Sequence, residues 1–533
     1  MTPTNAELAA ALDEYAALLE LKGGNSYAVR AYGRAAELVR STPADVADLV
    51  RGGQVRSLRG IGSGIEARLR ELVETGRSAE LEELRGAVSP ELAAFGRMRG
   101  VGAKRLVEIG AALGIRTVAE LRDAAADGRL RDVAGIGPHT EAQIVAALET
   151  SGTRPARGLL LNQAFALCAR LADSLGGVVA GDPRRWHDSP ERLAVVVASD
   201  TPDDVRARFA ALPEIVALLD TDVGVTVDGI PVELVVAPPH RFGTELVRAT
   251  GSAAYVAAIE PLPDAADEES VYRALGLTPL PPELREAPFA PPPPDLLDED
   301  AVRGDLHCHS TWSDGRATIR EIGEAAKARG DDYVAICDHT TSVGVVPGLD
   351  ADAVRRQALE IEAANAALAP FRILRGIECD ILPDGTLDLP DDVLAELDWV
   401  QISLHAGQRA PKRELTARVL HAMQHPAARC LSHPTGRLIG HRTENQLDLE
   451  RTIETSLETG VALEVNGLPP RLDLSAAHVR VALEAGAIIV CSSDAHSIAG
   501  LDNIRYAIHT ARRGGATRAA VLNTRPLGEL GRH

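Results

Sequence analysis

Tyr333-Val-Ala-Ile-Cys-Asp-His339 is a short apolar run that ends in an acid and an imidazole. It is too short for a helix and unbroken by polar residues, which is the form of a strand buried on both faces. The same form recurs along the chain after it. Phe371-Arg-Ile-Leu-Arg-Gly-Ile-Glu-Cys-Asp380, Trp399-Val-Gln-Ile-Ser-Leu-His405, Arg429-Cys-Leu-Ser-His433, Gly460-Val-Ala-Leu-Glu-Val-Asn466 and Ala487-Ile-Ile-Val-Cys-Ser-Ser-Asp-Ala-His496 all follow it. Helical patterns lie between them. Strand–helix alternation from 302 onward implies βα units around a parallel sheet, closed into a barrel. In such barrels the chemistry collects where strands end and loops begin.

The strand ends carry the residues that matter. His307 and His309 form an H-x-H, and Asp314 follows in Ser-Asp-Gly. His339, Glu378, His405 and His433 each end an apolar run, and Asp494 and His496 close the last one. Residues two apart at a strand end point to the same side. A lone buried histidine is ordinarily a hydrogen-bonded core residue, and Ser-Asp-Gly alone is a turn. Nine such residues in strand-end register are hard to explain as core. Imidazoles mixed with carboxylates suit Zn²⁺, Mn²⁺ or Fe²⁺ rather than Ca²⁺. His421, His425, His441 and His478 fall in helical or loop contexts and are left out of the metal set.

Upstream the pattern changes. Residues 5–150 have apolar residues at helical spacing with Gly and Pro between segments. Within them an apolar residue followed by G-[IV]-G and a helix start occurs three times: at Gly60 and Gly62, at Gly100 and Gly102, and at Gly135 and Gly137. Such turns present backbone N–H groups at a helix start to phosphates without requiring net charge. Lys104 and Arg105 flank the second turn, Arg56 and Arg59 the first. Residues 158–260 hold one helix followed by β-rich runs with a hairpin-like turn at Val227-Asp-Gly-Ile230. A proline-rich connector, Pro279-Leu-Pro-Pro282 and Pro291-Pro-Pro-Pro294, then marks a boundary before the barrel.

At 533 residues the chain is long enough for three or four domains. Its net charge of −20 excludes a generally basic coat for nucleic acid. Residues 1–150 hold 19 Lys/Arg against 21 Asp/Glu, a net of −2, whereas residues 151–300 hold 12 against 24, a net of −12. The first third is therefore the better candidate for a phosphate backbone, and the middle third the poorest. No two of the six cysteines form C-x-x-C, so a zinc ribbon or thioredoxin-like motif has no support. No apolar stretch reaches the length of a membrane span, and the N-terminus has no basic-then-apolar secretory pattern. The cytoplasm is the expected location, without membrane contact.

Asp305-Leu-His-Cys-His309, Ser313-Asp-Gly315, Cys337-Asp-His339, Gly376-Ile-Glu378, Ser403-Leu-His405, Ser432-His-Pro434 and Ser493-Asp-Ala-His496 resemble the motif set of PHP-domain phosphoesterases. The resemblance implies a distorted (β/α)₇ barrel holding up to three divalent ions, Mn²⁺ or Zn²⁺. It implies His307, His309, Glu378 and Asp494 around one ion and the catalytic centre. Glu378, His405 and His433 would hold a second ion, and Asp314, His339 and His496 a third. His433-Pro-Thr-Gly-Arg437, Glu464-Val-Asn466, Arg471-Leu-Asp-Leu474 and Tyr272-Arg-Ala-Leu-Gly276 extend the likeness to bacterial family X DNA polymerases over nearly the whole chain.

The departures from that family bear on function. Its palm carries two catalytic aspartates two residues apart on a strand and a third nearby. Here those positions align to Arg192 and Ala194, and the third to Glu233. An arginine and an alanine cannot hold two Mg²⁺ around a transferred phosphate. The family's lyase lysine aligns to Arg68, which stays protonated and cannot form an imine.

The expected architecture is multidomain α/β and α. It comprises a helical lyase-like domain with a helix-hairpin-helix (1–88), a second helix-hairpin-helix region (89–152) and a degenerate nucleotidyltransferase-like α+β palm (153–278). A linker (279–301) and the PHP barrel (302–533) follow. The expected function is metal-dependent 3′–5′ exonuclease or 3′-end processing of gapped, nicked or 3′-ended DNA in repair, by a monomer. Gly60, Gly62, Gly100, Gly102, Lys104, Arg105, Gly135 and Gly137 would contact the backbone, as would Arg437, Arg442 and Arg471 in the barrel loops. The rival readings are a histidinol-phosphatase-like small-molecule phosphatase, a DNA-end-binding module with a structural metal site, and a working repair polymerase.

Overall fold

The computed structural model of this chain describes residues 3–22, 25–41, 45–58, 60–149, 158–286, 292–344 and 346–530. Arg59, Pro291 and the 152/153 boundary lie outside them. The chain packs as two compact units. One comprises residues 1–158, 167–180 and 191–249, and the other 159–166, 181–190 and 250–533. Among the described residues, no helix is long and apolar enough to cross a membrane.

The first unit begins with helices. Asn5–Leu21 starts on a capping box, in which Thr4 accepts from the Glu7 N–H and the Glu7 carboxylate accepts from the Thr4 N–H. The three G-x-G turns each join helical segments. Gly62 caps Ser63–Thr75 and Gly102 caps Ala103–Leu113, and neither offers a side-chain acceptor to the first helical N–H groups. Gly137 precedes Pro138–Glu149. Glycine is required at the second turn. Gly102 has φ +86, and a Cβ on Gly96 would lie 2.7 Å from Ala103 Cα, so the two helices touch backbone to backbone.

The same unit holds a five-stranded sheet: β1 Val178–Ala180, β2 Leu193–Ala198, β3 Ala217–Asp220, β4 Val223–Val225 and β5 Pro231–Ala237. The order is β1-β2-β5-β4-β3, and β2 runs parallel to β5 with Ala194 opposite Glu233. The turn at 226–230 forms the expected hairpin, with the Gly229 N–H donating to Thr226 O at 2.8 Å. It packs on the second helix-hairpin-helix, where Arg97 donates to Asp228 at 2.6 Å. Leu92, Phe95, Leu106 and Ile109 share a core there with Val225.

The second unit is a nearly closed seven-stranded parallel barrel: β6 Gly304–Cys308, β7 Tyr333–Ile336, β8 Arg372–Asp380, β9 Trp399–Ser403, β10 Cys430–Leu431, β11 Ala462–Asn466 and β12 Ile489–Ser492. The strands follow one another in chain order, and a parallel bridge from Cys308 to Ala495 brings the two ends together. Helices such as Ile319–Arg329, Ala351–Leu368 and Ile504–Arg513 cover the outside, so the strands are buried on both faces. That is why they read in the sequence as unbroken apolar runs. Residues 181–190 belong to this unit. Trp186 stacks on His509 with ring centroids 3.6 Å apart, and Asp188 pairs with Arg437 at 2.9 Å.

Candidate metal centre and nucleic-acid contacts

All nine candidate ligands meet at the C-terminal mouth of the barrel. Parallel strands in register bring their ends to one side, and each ligand lies in the last residues of a strand or just beyond it. Glu378, in β8, is the hub. Its Oε2 lies 2.9 Å from His339 Nδ1, 3.5 Å from His307 Nε2 and 3.7 Å from His309 Nε2. Its Oε1 lies 3.0 Å from His433 Nε2 and 3.4 Å from His405 Nε2. One carboxylate therefore faces two groups of imidazoles with its two oxygens. Asp494 Oδ1 approaches His309 Nε2 at 3.2 Å, and Asp314 Oδ2 approaches His496 Nε2 at 3.3 Å.

Three overlapping sets bring their ligand atoms close enough to share an ion: His309, Asp314, His339 and His496; His307, His309 and Glu378; His339, Glu378 and His405. His309 and His339 thus each belong to two sets, a finer sharing than the three groups implied by the family resemblance.

The donors fit divalent metal. Buried polar atoms normally have hydrogen-bond partners, yet His309 Nδ1 and His433 Nδ1 are buried without one. His307 and His309 bring their Nε2 atoms to 3.2 Å of each other, where two lone pairs repel unless a cation or a proton lies between them. Burial opposes the charge on Glu378, but the imidazoles of His405, His339 and His307 hold it well below the usual carboxylate range. Asp494 behaves alike, with burial opposed by His307 and His309. Burial, helped by the charge of His339, lowers His309 to about 4, which keeps it neutral as a ligand must be. His433 and Asp494 have φ of 25° and 52°, conformations that cost about 1 kcal/mol or more each and recur at functional sites.

Behind the ligands stands a shell of acceptors. Glu464, in β11 and fully buried, takes His307 Nδ1 at 2.7 Å, Gln401 Nε2 at 2.7 Å, the His433 N–H at 2.6 Å and Ser432 Oγ at 3.0 Å. Ser492 Oγ donates to it as well. This fixes the His307 proton on Nδ1 and turns Nε2 to the centre. Asp380 does the same for His405, at 3.1 Å from its Nδ1. Asp338 ties down the H-x-H and Ser-Asp-Gly loops through the Ser310 N–H at 2.8 Å, Ser310 Oγ at 2.6 Å and Ser313 Oγ. None of the three has a role at the site from the sequence alone, although Asp338 and Glu464 lie in the motifs quoted above and a single carboxylate inside the apolar run Val461–Val465 is a usable signal. The five barrel cysteines are buried outside the ligand groups. Cys308 and Cys337 donate to the carbonyls of Ala335 and Leu306.

The arginines expected at DNA divide. Arg437 is committed inside the fold, to Asp188 at 2.9 Å, to Arg471 O at 2.8 Å and to Leu472 O. Arg442 is exposed and donates to Gly436 O at 2.8 Å. Arg471 lies 3.6 Å from Asp494 Oδ2, with its Nε and Nη1 buried and lacking a hydrogen-bond acceptor. In the helical region Lys104 and Arg105 are exposed on one groove with Gly100 and Gly102. Arg68, at the lyase position, pairs with Glu80.

Residues 3–78 match a model of a helix-hairpin-helix domain, and residues 92–150 one of a SAM-like helix-hairpin-helix tandem. A DNA polymerase/3′-5′ exonuclease PolX of Bacillus subtilis is 32% identical, over 97% of this chain and 97% of that one. A probable phosphatase of Acetivibrio thermocellus is 29% identical over 36% of this chain and 78% of its own length. One of Thermoanaerobacter sp. is 27% identical over 41% and 89%.

Proposed function

The chain belongs to the bacterial PolX family of DNA polymerase/3′-5′ exonucleases, and from that premise we propose that its working activity is metal-dependent hydrolysis of phosphodiesters at DNA 3′ ends, with the polymerase and lyase sites lost. The observation that carries this reading is Glu378, whose two oxygens face two groups of imidazoles in a buried pocket. That is the ligand arrangement for neighbouring ions.

His307, His309, Glu378 and Asp494 would hold the catalytic pair together with His405 and His433, and Asp314, His339 and His496 would complete the set. Mn²⁺ or Zn²⁺ suits donors that are imidazole and carboxylate without thiolate. When bound, such ions lower the pKa of a coordinated water and neutralise the phosphate. The chain's own residues do the rest. Glu464 and Asp380 keep His307 and His405 aimed at the centre. Asp314, His405 and His496 are the partly exposed members, so the strand end would enter from their side. Residues 302–533 are the hydrolytic domain in this reading.

Loss of polymerisation is supported by charge as well as by residue type. Arg192 pairs with Glu233 on the neighbouring strand, and Ala194 offers no ligand. Arg184 and Arg185, which precede β2, are also engaged. Arg184 donates twice to Glu268 at 2.8 Å, and Arg185 donates to Asp182 at 2.6 Å and to Glu286 at 3.0 Å. Gly60, Gly62, Gly100, Gly102, Gly135 and Gly137, with Lys104 and Arg105, would hold the DNA backbone.

The test is incubation of the full chain with 3′-labelled gapped DNA and Mn²⁺, then with deoxynucleotides. Shortening without extension is expected. The phosphatase relatives favour a second reading, a small-molecule phosphatase. It requires histidinol phosphate to be hydrolysed faster than a DNA 3′ end in the same samples.

A further inference from the structure

Three guanidinium groups gather on one side of the metal centre. Arg471 is nearest, 3.6 Å from Asp494 Oδ2, an oxygen already taken by Asn466 Nδ2 at 3.0 Å. Its Nε, which faces that carboxylate beyond hydrogen-bond distance, and its Nη1 are both buried without a hydrogen bond, a costly state for charged donors unless something else arrives to accept from them. Arg442 stands at the far end of the loop that starts at His433, anchored by its Nε to Gly436 O at 2.8 Å. Gly436 touches the next loop, since a Cβ there would lie 2.6 Å from Gln408 Oε1, and Arg409 follows in that loop. Arg442 is pulled below the ordinary guanidinium range, first by partial burial and then by the like charges of Arg471 and Arg409. Asp473 is the one group acting on Arg442 in the opposite sense. Ordinary surface arginines of this protein are placed differently: Arg355 pairs with Asp392 and Glu396, and Arg375 with Asp398.

We propose that Arg471, Arg442 and Arg409 form a two-phosphate subsite, in which Arg471 takes the phosphate at the metals and Arg442 with Arg409 take the phosphate of the adjoining nucleotide. Guanidinium forks match phosphate oxygens in shape and charge. Two phosphates joined through one sugar are the repeating unit of a polynucleotide, which a small phosphomonoester lacks. The subsite therefore selects a nucleic-acid end over a simple phosphate ester. This rests on the phosphoesterase reading above and adds to it the feature of the substrate that is recognised.

The experiment uses the full chain loaded with Mn²⁺, and its Arg409→Ala/Arg442→Ala double variant. Both side chains are exposed, so the fold should persist. Binding of thymidine 3′,5′-bisphosphate and of thymidine 3′-monophosphate is measured by titration calorimetry. The parent should prefer the bisphosphate by about tenfold or more, the scale of one charge-assisted contact. The double variant should lose that preference while keeping its affinity for the monophosphate. A parent without the preference, or a variant that retains it, overturns the proposal. Degradation of a 3′-labelled oligonucleotide is followed on the same samples. A parent that prefers the bisphosphate but leaves DNA intact keeps the subsite and overturns the exonuclease reading instead.

Discussion

Arg192, the residue just before β2, donates from Nε to Glu233 Oε2 of the neighbouring parallel strand β5 at 2.9 Å. Register places Ala194 directly opposite Glu233, so all three positions that align with polymerase aspartates lie side by side. A cation now occupies ground where cations would have to be bound. On the reading proposed above, this pairing leaves the sheet intact while denying it a site for metal ions.

The full chain should add no nucleotides to a primed template in Mg²⁺ or Mn²⁺. Primer extension checks this, and robust extension would show that the metal-binding carboxylates are supplied by other residues. Arg192→Ala should change stability by less than about 1 kcal/mol, because the pair is partly exposed.

DNA should bind through phosphates, with little sequence preference and steep weakening in salt. Lys104→Ala with Arg105→Ala should make the slope of log affinity against log salt shallower by about two. Fluorescence anisotropy on nicked duplex at several salt concentrations reads the slope. An unchanged slope would make the hairpins structural only.

His309→Ala or Asp494→Ala should abolish phosphoester hydrolysis and leave DNA affinity nearly intact, with chelator mimicking both and Mn²⁺ the best rescuer of the parent. Circular dichroism must first show each variant folded, since ligand loss loosens metal sites. A folded His309→Ala protein that degrades DNA at the parent rate would move the activity elsewhere.

Glu464→Gln keeps the shape of the acceptor but removes its charge and puts a second donor beside Gln401 and His307. Metal affinity should fall about tenfold to a hundredfold, the usual effect of losing an orienting partner. Titration of apo-protein with Mn²⁺ or Zn²⁺ measures it without reference to activity. Unchanged affinity would reduce Glu464 to a packing role.

Stability of the barrel unit should fall in acid. Burial opposes the charge on Glu268, but hydrogen bonds from Arg184 and Arg285 bring its carboxyl from 4.5 to about 2. A lowered folded pKa stabilises above the unfolded value and loses that contribution as pH drops. About 3 kcal/mol should therefore be present at neutral pH and disappear between 4.5 and 2. Trp186, Trp312 and Trp399, the only tryptophans, all belong to this unit. Denaturation followed by their fluorescence should show Glu268→Gln well below the parent at pH 7 and converging with it near pH 2. A pH-independent difference would mean that Glu268 acts through packing.

The barrel, and the gathering of nine candidate ligands at its strand ends, were legible in the sequence for a local reason. A strand buried on both faces must be an apolar run, and a polar residue at its end is conspicuous. The G-x-G turns were legible because only glycine allows Gly96 to meet Ala103 and Gly102 to take a positive φ. What each ligand shares was not legible. Glu378 meets His307 and His433 through different oxygens, and such a meeting depends on strand register across long separations. The arginines make the same point. Arg437 and Arg471 look equivalent as letters, but packing gives the first Asp188 and two carbonyls and leaves two donors of the second without an acceptor. Residue type set the charge, and only tertiary contacts, which decide what each charge is already paired with, determined which of them remains available to a substrate.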